Sequence, residues 1–176
     1  MKLREYQNNI AIQAGNKLMA FGCCYLSMEC RTGKTLTALY AADKFNAKSV
    51  LFITKLKAIP SVKSDYIALQ PSFKLEVVNF ESSHKVTGKY DLVIIDEAHS
   101  LGAYPKPSKR TQKIRTICEG LPVLYLSGTP SPESYSQLYH QFWVCSKSPW
   151  KNYKSFYKWA KEYVYTRQKK VNGYLI

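Results

Sequence analysis

The segment Leu92-Val93-Ile94-Ile95-Asp96-Glu97 constrains the fold of this chain more than any other. Its four aliphatic residues offer no polar face. A strand built from them needs cover on both sides, which is the situation of a central strand in a parallel sheet flanked by helices. The rest of the sequence has the matching rhythm, with short apolar runs alternating with helical patterns, as βαβ units require. Strands are expected at Gly22 to Met28, Ser49 to Thr54, Lys74 to Phe80, Leu92 to Ile95 and Pro122 to Leu126. A helix is expected from Lys34 to about Phe45, where Leu36, Leu39 and Tyr40 repeat at i, i+3, i+4, and another over Pro60 to Gln70. A third begins at about Ser108, with Ile114, Ile117 and Cys118 on one face and Gly120 as its stop. Ser131 and Pro132 read as the cap and first residue of a further helix carrying Tyr135, Leu138, Tyr139, Phe142 and Trp143. Pro149 reads as opening the last one, with Trp150, Tyr153, Tyr157, Ala160 and Val164 on one face and Lys151, Lys154, Lys158 and Lys161 on a neighbouring face. The expected fold class is α/β, a mostly parallel sheet with helices on both sides.

At 176 residues the chain has room for one domain, or one domain with a helical appendage. Residues 1–146 are expected to form the α/β unit and 147–176 a basic, aromatic-rich helical extension. An apolar content of 45% suffices for a packed core and excludes intrinsic disorder. The net charge of +14 calls for a polyanionic partner, and nucleic acid is the first candidate. Half of that charge is concentrated in Lys147 to Lys170, where eight Lys and Arg meet one acid, Glu162. An acidic membrane surface is the rival, but the longest aliphatic run, Leu92 to Ile95, is far short of the ~18 residues a span requires, so no membrane partner is expected. The start, with Glu5, Gln7, Asn8 and Asn9, is too polar for a signal peptide, and an intracellular location is expected. Cys23, Cys24, Cys30, Cys118 and Cys145 form no C-x-x-C pair, so neither a disulfide framework nor a zinc site is indicated. His84 and His140 lack metal spacing and read as surface or partly buried residues.

Three segments carry chemistry. Met28-Glu29-Cys30-Arg31-Thr32-Gly33-Lys34-Thr35 lies between an expected strand and an expected helix, where a phosphate-binding loop belongs. Gly33 lets the backbone approach a phosphate, the helix N-terminus supplies positive potential, Lys34 reaches the outer phosphates, and the Thr35 hydroxyl can ligate Mg²⁺. Met28 stands where the general pattern has its first glycine, and G-K-T by itself recurs by chance. Asp96-Glu97-Ala98-His99 follows the central strand, at the edge where open α/β sheets bind ligands. Asp96 there would hold Mg²⁺ through its water shell and Glu97 would deprotonate the water that attacks a γ-phosphate, although acids also end strands without function. Leu126-Ser127-Gly128-Thr129-Pro130 adds two hydroxyls and a glycine past another strand end, and alone it reads equally as an ordinary loop. The three occur in order, each at the end of an apolar strand, and chance rarely produces that.

Leu3-Arg4-Glu5-Tyr6-Gln7, M-E-C-R-T-G-K-T, D-E-A-H and L-S-G-T-P together resemble the N-terminal RecA-like motor lobe of superfamily-2 helicases, and within them the phage-type Swi/Snf-like DNA-dependent ATPases. The resemblance spans Leu3 to about Trp143, and members of that group share the missing first glycine. It implies an ATP hydrolase using ATP and Mg²⁺, in the cytoplasm of a bacterial or phage-infected cell. Gln7 would contact adenine; Arg31, Thr32, Gly33, Lys34 and Thr35 the phosphates; Thr35 and Asp96 the metal; and Glu97 the attacking water. His99, Ser127 and Thr129 would couple nucleotide state to nucleic-acid contact, which the matching positions Thr54, Lys55 and Asn79 to Ser82 would make.

Lys106, Lys109, Arg110, Lys113 and Arg115 form a second basic patch that either follows a phosphate backbone or is a solvated helix face. In the extension, the aromatic stripe is expected to pack, while Lys151, Lys154 and Lys158 add salt-sensitive affinity for nucleic acid. The resemblance also implies a second RecA-like lobe that supplies an arginine finger, and the 46 residues after Pro130 are too few for one. A partner lobe in cis or in trans is therefore expected, and this chain alone should hydrolyse ATP slowly. The competing expectation is a basic nucleic-acid-binding module with a vestigial nucleotide site.

Overall fold

We describe the protein from a computed structural model, over residues 3–29, 31–165, 170–171 and 174–175. Cys30 of the phosphate loop, together with Arg167 and Lys169 of the basic stretch, lies outside the described residues. The elements run α1 (Glu5–Phe21), β1 (Cys23–Ser27), α2 (Lys34–Lys44), β2 (Ser49–Thr54), α3 (Ile59–Leu69), β3 (Lys74–Asn79), β4 (Leu92–Ile95), α4 (Lys109–Ile117), β5 (Val123–Ser127), α5 (Gln137–Trp143) and α6 (Phe156–Tyr163). A short antiparallel pair, β6 (Lys170–Val171) and β7 (Tyr174–Leu175), follows.

β1 to β5 form one all-parallel sheet in the order β1-β5-β4-β2-β3. Leu92, Val93, Ile94 and Ile95 are all fully buried, which is why β4 shows no alternation in sequence. Their side chains serve two cores. Leu92 and Ile94 join Val50, Phe52, Leu124 and Leu126 beneath α1, α2 and α3. Val93 and Ile95 join Leu51, Ile53, Val123 and Tyr125 beneath α4 and the end of α5. The result is a RecA-like three-layer α/β domain.

α1 has a faint sequence signal, because its inward face is Gln7, Ala11, Ala14, Gly15 and Leu18, which repeat with helical period but include one large apolar residue. Small side chains are what its position requires. It packs on the alanines of α2, and a Cβ on Gly15 would stand 2.8 Å from Lys44 Cβ.

Two expected helices begin later than their prolines suggest. α5 starts at Gln137, not at Pro132, because Ser134 and Gln137 stitch the preceding residues into turns: Ser134 Oγ accepts from Ser136 N–H (3.2 Å) and Gln137 Oε1 from Glu133 N–H (3.1 Å). α6 starts at Phe156, where the Ser155 hydroxyl accepts from Lys158 N–H, so Pro149 to Tyr153 form turns and not a helical face. Lys151 and Lys154 therefore do not share a helix with Lys158 and Lys161, and Tyr157 faces solvent at 66% exposure. The packed face of α6 is Phe156, Trp159, Ala160 and Val164, which closes an aromatic block with Tyr139, Trp143, Trp150 and Tyr153. His140 is buried rather than at the surface: its Nδ1 pairs with the Ala103 carbonyl at 2.7 Å, and burial lowers its pKa.

Candidate active site

Parallel register aligns the carboxyl ends of the five strands, and that alignment assembles the site. Ser27 pairs with Ser127, Ile53 with Ile95, and Thr54 with Asn79. Along one edge, in spatial order, stand the phosphate loop after β1, Ser127 to Thr129 after β5, Asp96-Glu97 after β4, Thr54-Lys55 at the end of β2 and Asn79 at the end of β3.

The loop into α2 needs two left-handed residues, Arg31 (φ +65°) and Gly33 (φ +80°), and Gly33 is the N-cap of the helix. The positive φ strains any other residue at position 33, and an added Cβ, 2.2 Å from Gln7 Nε2, would also displace the Gln7 amide. The loop is tied down on several sides. Gln7 Nε2 and the Tyr6 hydroxyl donate to the Thr32 carbonyl (3.1 and 2.9 Å), Thr32 Oγ1 donates to the Glu29 carbonyl (2.7 Å), and Met28 N–H donates to the Ser127 carbonyl (3.1 Å). Lys34 Nζ donates to the Glu29 carbonyl at 3.3 Å, bridging the loop from the first turn of α2. Gln7 is buried, and its Oε1 accepts from Arg4 N–H (2.9 Å), so one N–H and one lone pair remain for any outside group.

Asp96 and Glu97 have separate environments. Asp96 Oδ2 accepts from the Thr54 hydroxyl (2.7 Å) and Oδ1 from Glu97 N–H (2.9 Å). Burial raises its pKa, with the Thr54 hydrogen bond opposing and the Glu97 charge adding to the rise. Its carboxylate is in no ion pair; among the described residues the ion pairs are Lys55–Glu97 and Arg110–Glu81, with His99 Nδ1 in contact with Glu97. The Lys34 charge also reaches it and opposes the rise, but without a direct ion pair, and a half-buried carboxylate with satisfied hydrogen bonds and no cation in contact suits a hydrated Mg²⁺, which takes one or two carboxylates plus phosphate oxygens and waters. Asp96 and Thr35 are the residues that could hold it. Glu97 sits in the left-handed region (φ +51°), a costly conformation for a glutamate, and this aims its carboxylate between Lys55 Nζ (3.5 Å) and His99 Nδ1 (3.3 Å).

His99 Nδ1 also meets Ser127 Oγ at 2.9 Å, and Ser127 Oγ accepts from Thr129 N–H at 3.1 Å. The acidic turn and the loop after β5 are thus one hydrogen-bonded unit. That unit is anchored further out by a residue absent from the sequence-based expectations. Fully buried Gln141 of α5 accepts from the Tyr25 hydroxyl (2.7 Å) and donates to the Pro130 and Gln137 carbonyls (2.7 and 2.9 Å). Burial raises the Tyr25 pKa and keeps that hydroxyl a donor. The available signal was a glutamine between Tyr139 and Phe142 on a helix face that is otherwise apolar, since a buried amide needs partners.

The expected nucleic-acid positions divide. Thr54 is fully buried on Asp96, which removes it from direct contact and makes it a support of the acidic pair. Lys55 is exposed beside Glu97. Asn79 Oδ1 accepts from Ser82 N–H (2.7 Å) and shapes the turn after β3. Lys109 and Arg110 are exposed at the start of α4, Arg110 pairing with Glu81 (3.0 Å) and lying over the Phe80 ring. Lys151 and Lys154 are exposed in the turns after α5, and Lys158 is exposed on α6. No group of His, Cys, Asp and Glu among the described residues forms an all-protein metal cage, and no described helix is long and apolar enough to cross a membrane.

No protein-family model matches the sequence, and no curated protein matches it. Among solved structures the chain is similar to a nuclease-deletion mutant of the Type ISP restriction-modification enzyme LlaGI in complex with a DNA substrate mimic, with a TM-score of 0.52 and 15% identity. The match covers 78% of this chain and 19% of that one, so this chain spans about one fifth of the length of the deletion-mutant chain. That likeness agrees with the fold read from the sheet, a RecA-like α/β domain.

Proposed function

We propose that this chain is the ATP-binding motor lobe of a nucleic-acid-dependent ATPase of the helicase type, acting on duplex DNA together with a second RecA-like lobe supplied in cis or in trans. The observation that carries the reading is the convergence of Gly33-Lys34-Thr35, Asp96-Glu97, His99 and Ser127 on one sheet edge, with Asp96 and Glu97 in different environments. The DNA-bound state of the LlaGI structure and the +14 charge favour DNA as the partner.

In this reading Gly33 and the first amides of α2 cradle the phosphates, and Lys34 leaves the Glu29 carbonyl to neutralise charge on the outer ones. Thr35 and Asp96 would hold Mg²⁺, which would supply charge neutralisation for the phosphates. Glu97, steadied by Lys55 and His99, orients a water and takes its proton as the water oxygen bonds to the γ-phosphorus and the bond to the bridging oxygen breaks. The products are ADP and inorganic phosphate. His99, Ser127 and Thr129 transmit the state of Glu97 to the loop after β5. Lys55, Asn79, Lys109 and Arg110 follow the nucleic-acid backbone. The Swi/Snf-like resemblance of the motifs supports tracking along duplex DNA.

Steady-state ATP turnover with and without duplex DNA tests this. Slow turnover that DNA raises, and that Lys34→Ala and Glu97→Gln reduce to background, is expected. An unchanged rate in Glu97→Gln would remove the water-activating role. DNA affinity indifferent to ATP and to Lys34→Ala would favour the module with a vestigial site.

A further inference from the structure

A cavity of about 350 Å³ opens beyond α5, walled by Arg115, Trp143, Trp150, Lys151, Tyr153 and Lys154. Cys145, which also borders it, has its Sγ 3.6 Å from the Gly22 carbonyl and 3.9 Å from the Leu121 carbonyl. Gly22 and Leu121 lead into β1 and β5, so the cavity lies at the amino end of the sheet, opposite the phosphate loop.

Three cations converge there. The Arg115 guanidinium is held in a fixed plane, 3.7 Å above the Trp143 ring centre, and donates one N–H to the Trp143 carbonyl at 2.8 Å. A guanidinium has five N–H groups, and stacking fixes their directions, so the remaining donors are pre-organised for an acceptor. Lys151 and Lys154 are exposed and belong to none of the described ion pairs. No carboxylate lines the cavity: the Glu162 carboxylate accepts from the Tyr153 hydroxyl, and Glu119 borders a neighbouring hollow that Arg115 also lines. A rigid guanidinium flanked by two free ammonium groups is complementary to phosphate, which accepts a bidentate Arg pair and tolerates mobile point charges.

We propose that this cavity is a second phosphate-binding site, which takes backbone phosphates of a nucleic-acid strand at the end of the domain opposite the nucleotide site. A strand is preferred to a free oligophosphate because the chain segment that forms the cavity carries three more exposed lysines, Lys147, Lys158 and Lys161, which add positive charge that one small anion does not need. Only this choice of ligand source rests on the function proposed above. Arg115 thereby separates from Lys109 and Arg110, with which it is grouped in sequence, and joins lysines more than 30 positions away.

The test uses the whole chain and a short labelled DNA duplex, with anisotropy measured over a range of salt concentrations. Lys151→Glu with Lys154→Glu changes two exposed residues and leaves the core intact; Arg115→Ala is the second variant, with circular dichroism as its folding control. The expected result is a roughly tenfold loss of affinity in the double variant and a salt slope shallower by about 2, since each engaged phosphate contributes about 0.9. Unchanged affinity and slope in both variants, with the wild type binding normally, would overturn this site and leave the proposed function standing. A wild type that binds no duplex would overturn the strand assignment and the DNA reading together. In that event a tripolyphosphate titration followed by tryptophan fluorescence decides the cavity: a response lost in the double variant assigns it to free oligophosphates, and no response removes the site.

Discussion

The carboxyl edge of the sheet and the aromatic block beyond α5 are built by opposite means. At the edge, each chemical group lies within a few residues of a strand end, and parallel register places the groups side by side. In the block, Tyr139, Trp143, Trp150 and Trp159 meet through turns that only tertiary packing fixes: Trp159 has its ring centre 5.0 Å from that of Trp150 and 5.4 Å from that of Tyr139. The edge spends backbone strain, with Arg31 and Glu97 in left-handed conformations, to aim polar groups. The block gains stability by burying aromatic surface. The candidate nucleotide site and the aromatic packing are thus largely separate in this domain, and the Gln141 tether is where they join.

That separation can be broken from either side. The largest effect is expected for Trp159→Ala, which removes a side chain exposed by only 1% and should cost about 3–5 kcal/mol in a denaturant titration. Nucleotide affinity of the folded protein should stay within about twofold, well under 1 kcal/mol. A parallel loss of both would make the two regions one cooperative unit. Next is Gln141→Leu, which strands the Tyr25 hydroxyl and the Pro130 carbonyl and should cost about 1–3 kcal/mol. Here a drop in DNA-stimulated turnover larger than the drop in nucleotide affinity would show the tether in action, whereas equal drops would reduce it to packing.

The smallest stability effect, and one of opposite sign, is expected at Asp96. Its folded-state pKa is raised by burial, so between the unfolded and folded values the native state binds the proton more tightly, and above both the ionised carboxylate opposes folding. Asp96→Asn should therefore melt at or above the wild-type midpoint near neutral pH, the difference shrinking as pH falls through the carboxylate range, while Mg²⁺-dependent nucleotide binding is lost. A clear loss of stability at neutral pH would mean that the Thr54 and Glu97 hydrogen bonds outweigh the burial term.

The same contrast explains what the sequence made legible. Five strands, their carboxyl-end motifs and the helices α2, α3 and α4 were readable because strand periodicity and strand-end chemistry are local. α1 was not read, since Ala11, Ala14 and Gly15 form a face whose value is closeness to α2 and not hydrophobicity. The starts of α5 and α6 were misplaced because Pro132 and Pro149 permit a helix, while Ser134 and Ser155 decide where it begins. Thr54 departs from the nucleic-acid contact that its motif position implies because the turn of a strand end toward or away from a neighbouring carboxylate depends on register, which here brings β2 beside β4. The cavity around Arg115 depends on its stacking and hydrogen bond with Trp143, 28 positions along the chain, and has no sequence signature.

The most direct test of the central claim is calorimetric titration of MgATP into the wild-type chain and Lys34→Ala. Saturable binding by the wild type, weakened roughly 10²–10³-fold in a variant of unchanged melting midpoint, is the predicted result, by analogy with loss of one charge-stabilising donor. Equal affinity in the two proteins, or no binding by the wild type, would contradict a nucleotide site at the carboxyl edge of this sheet.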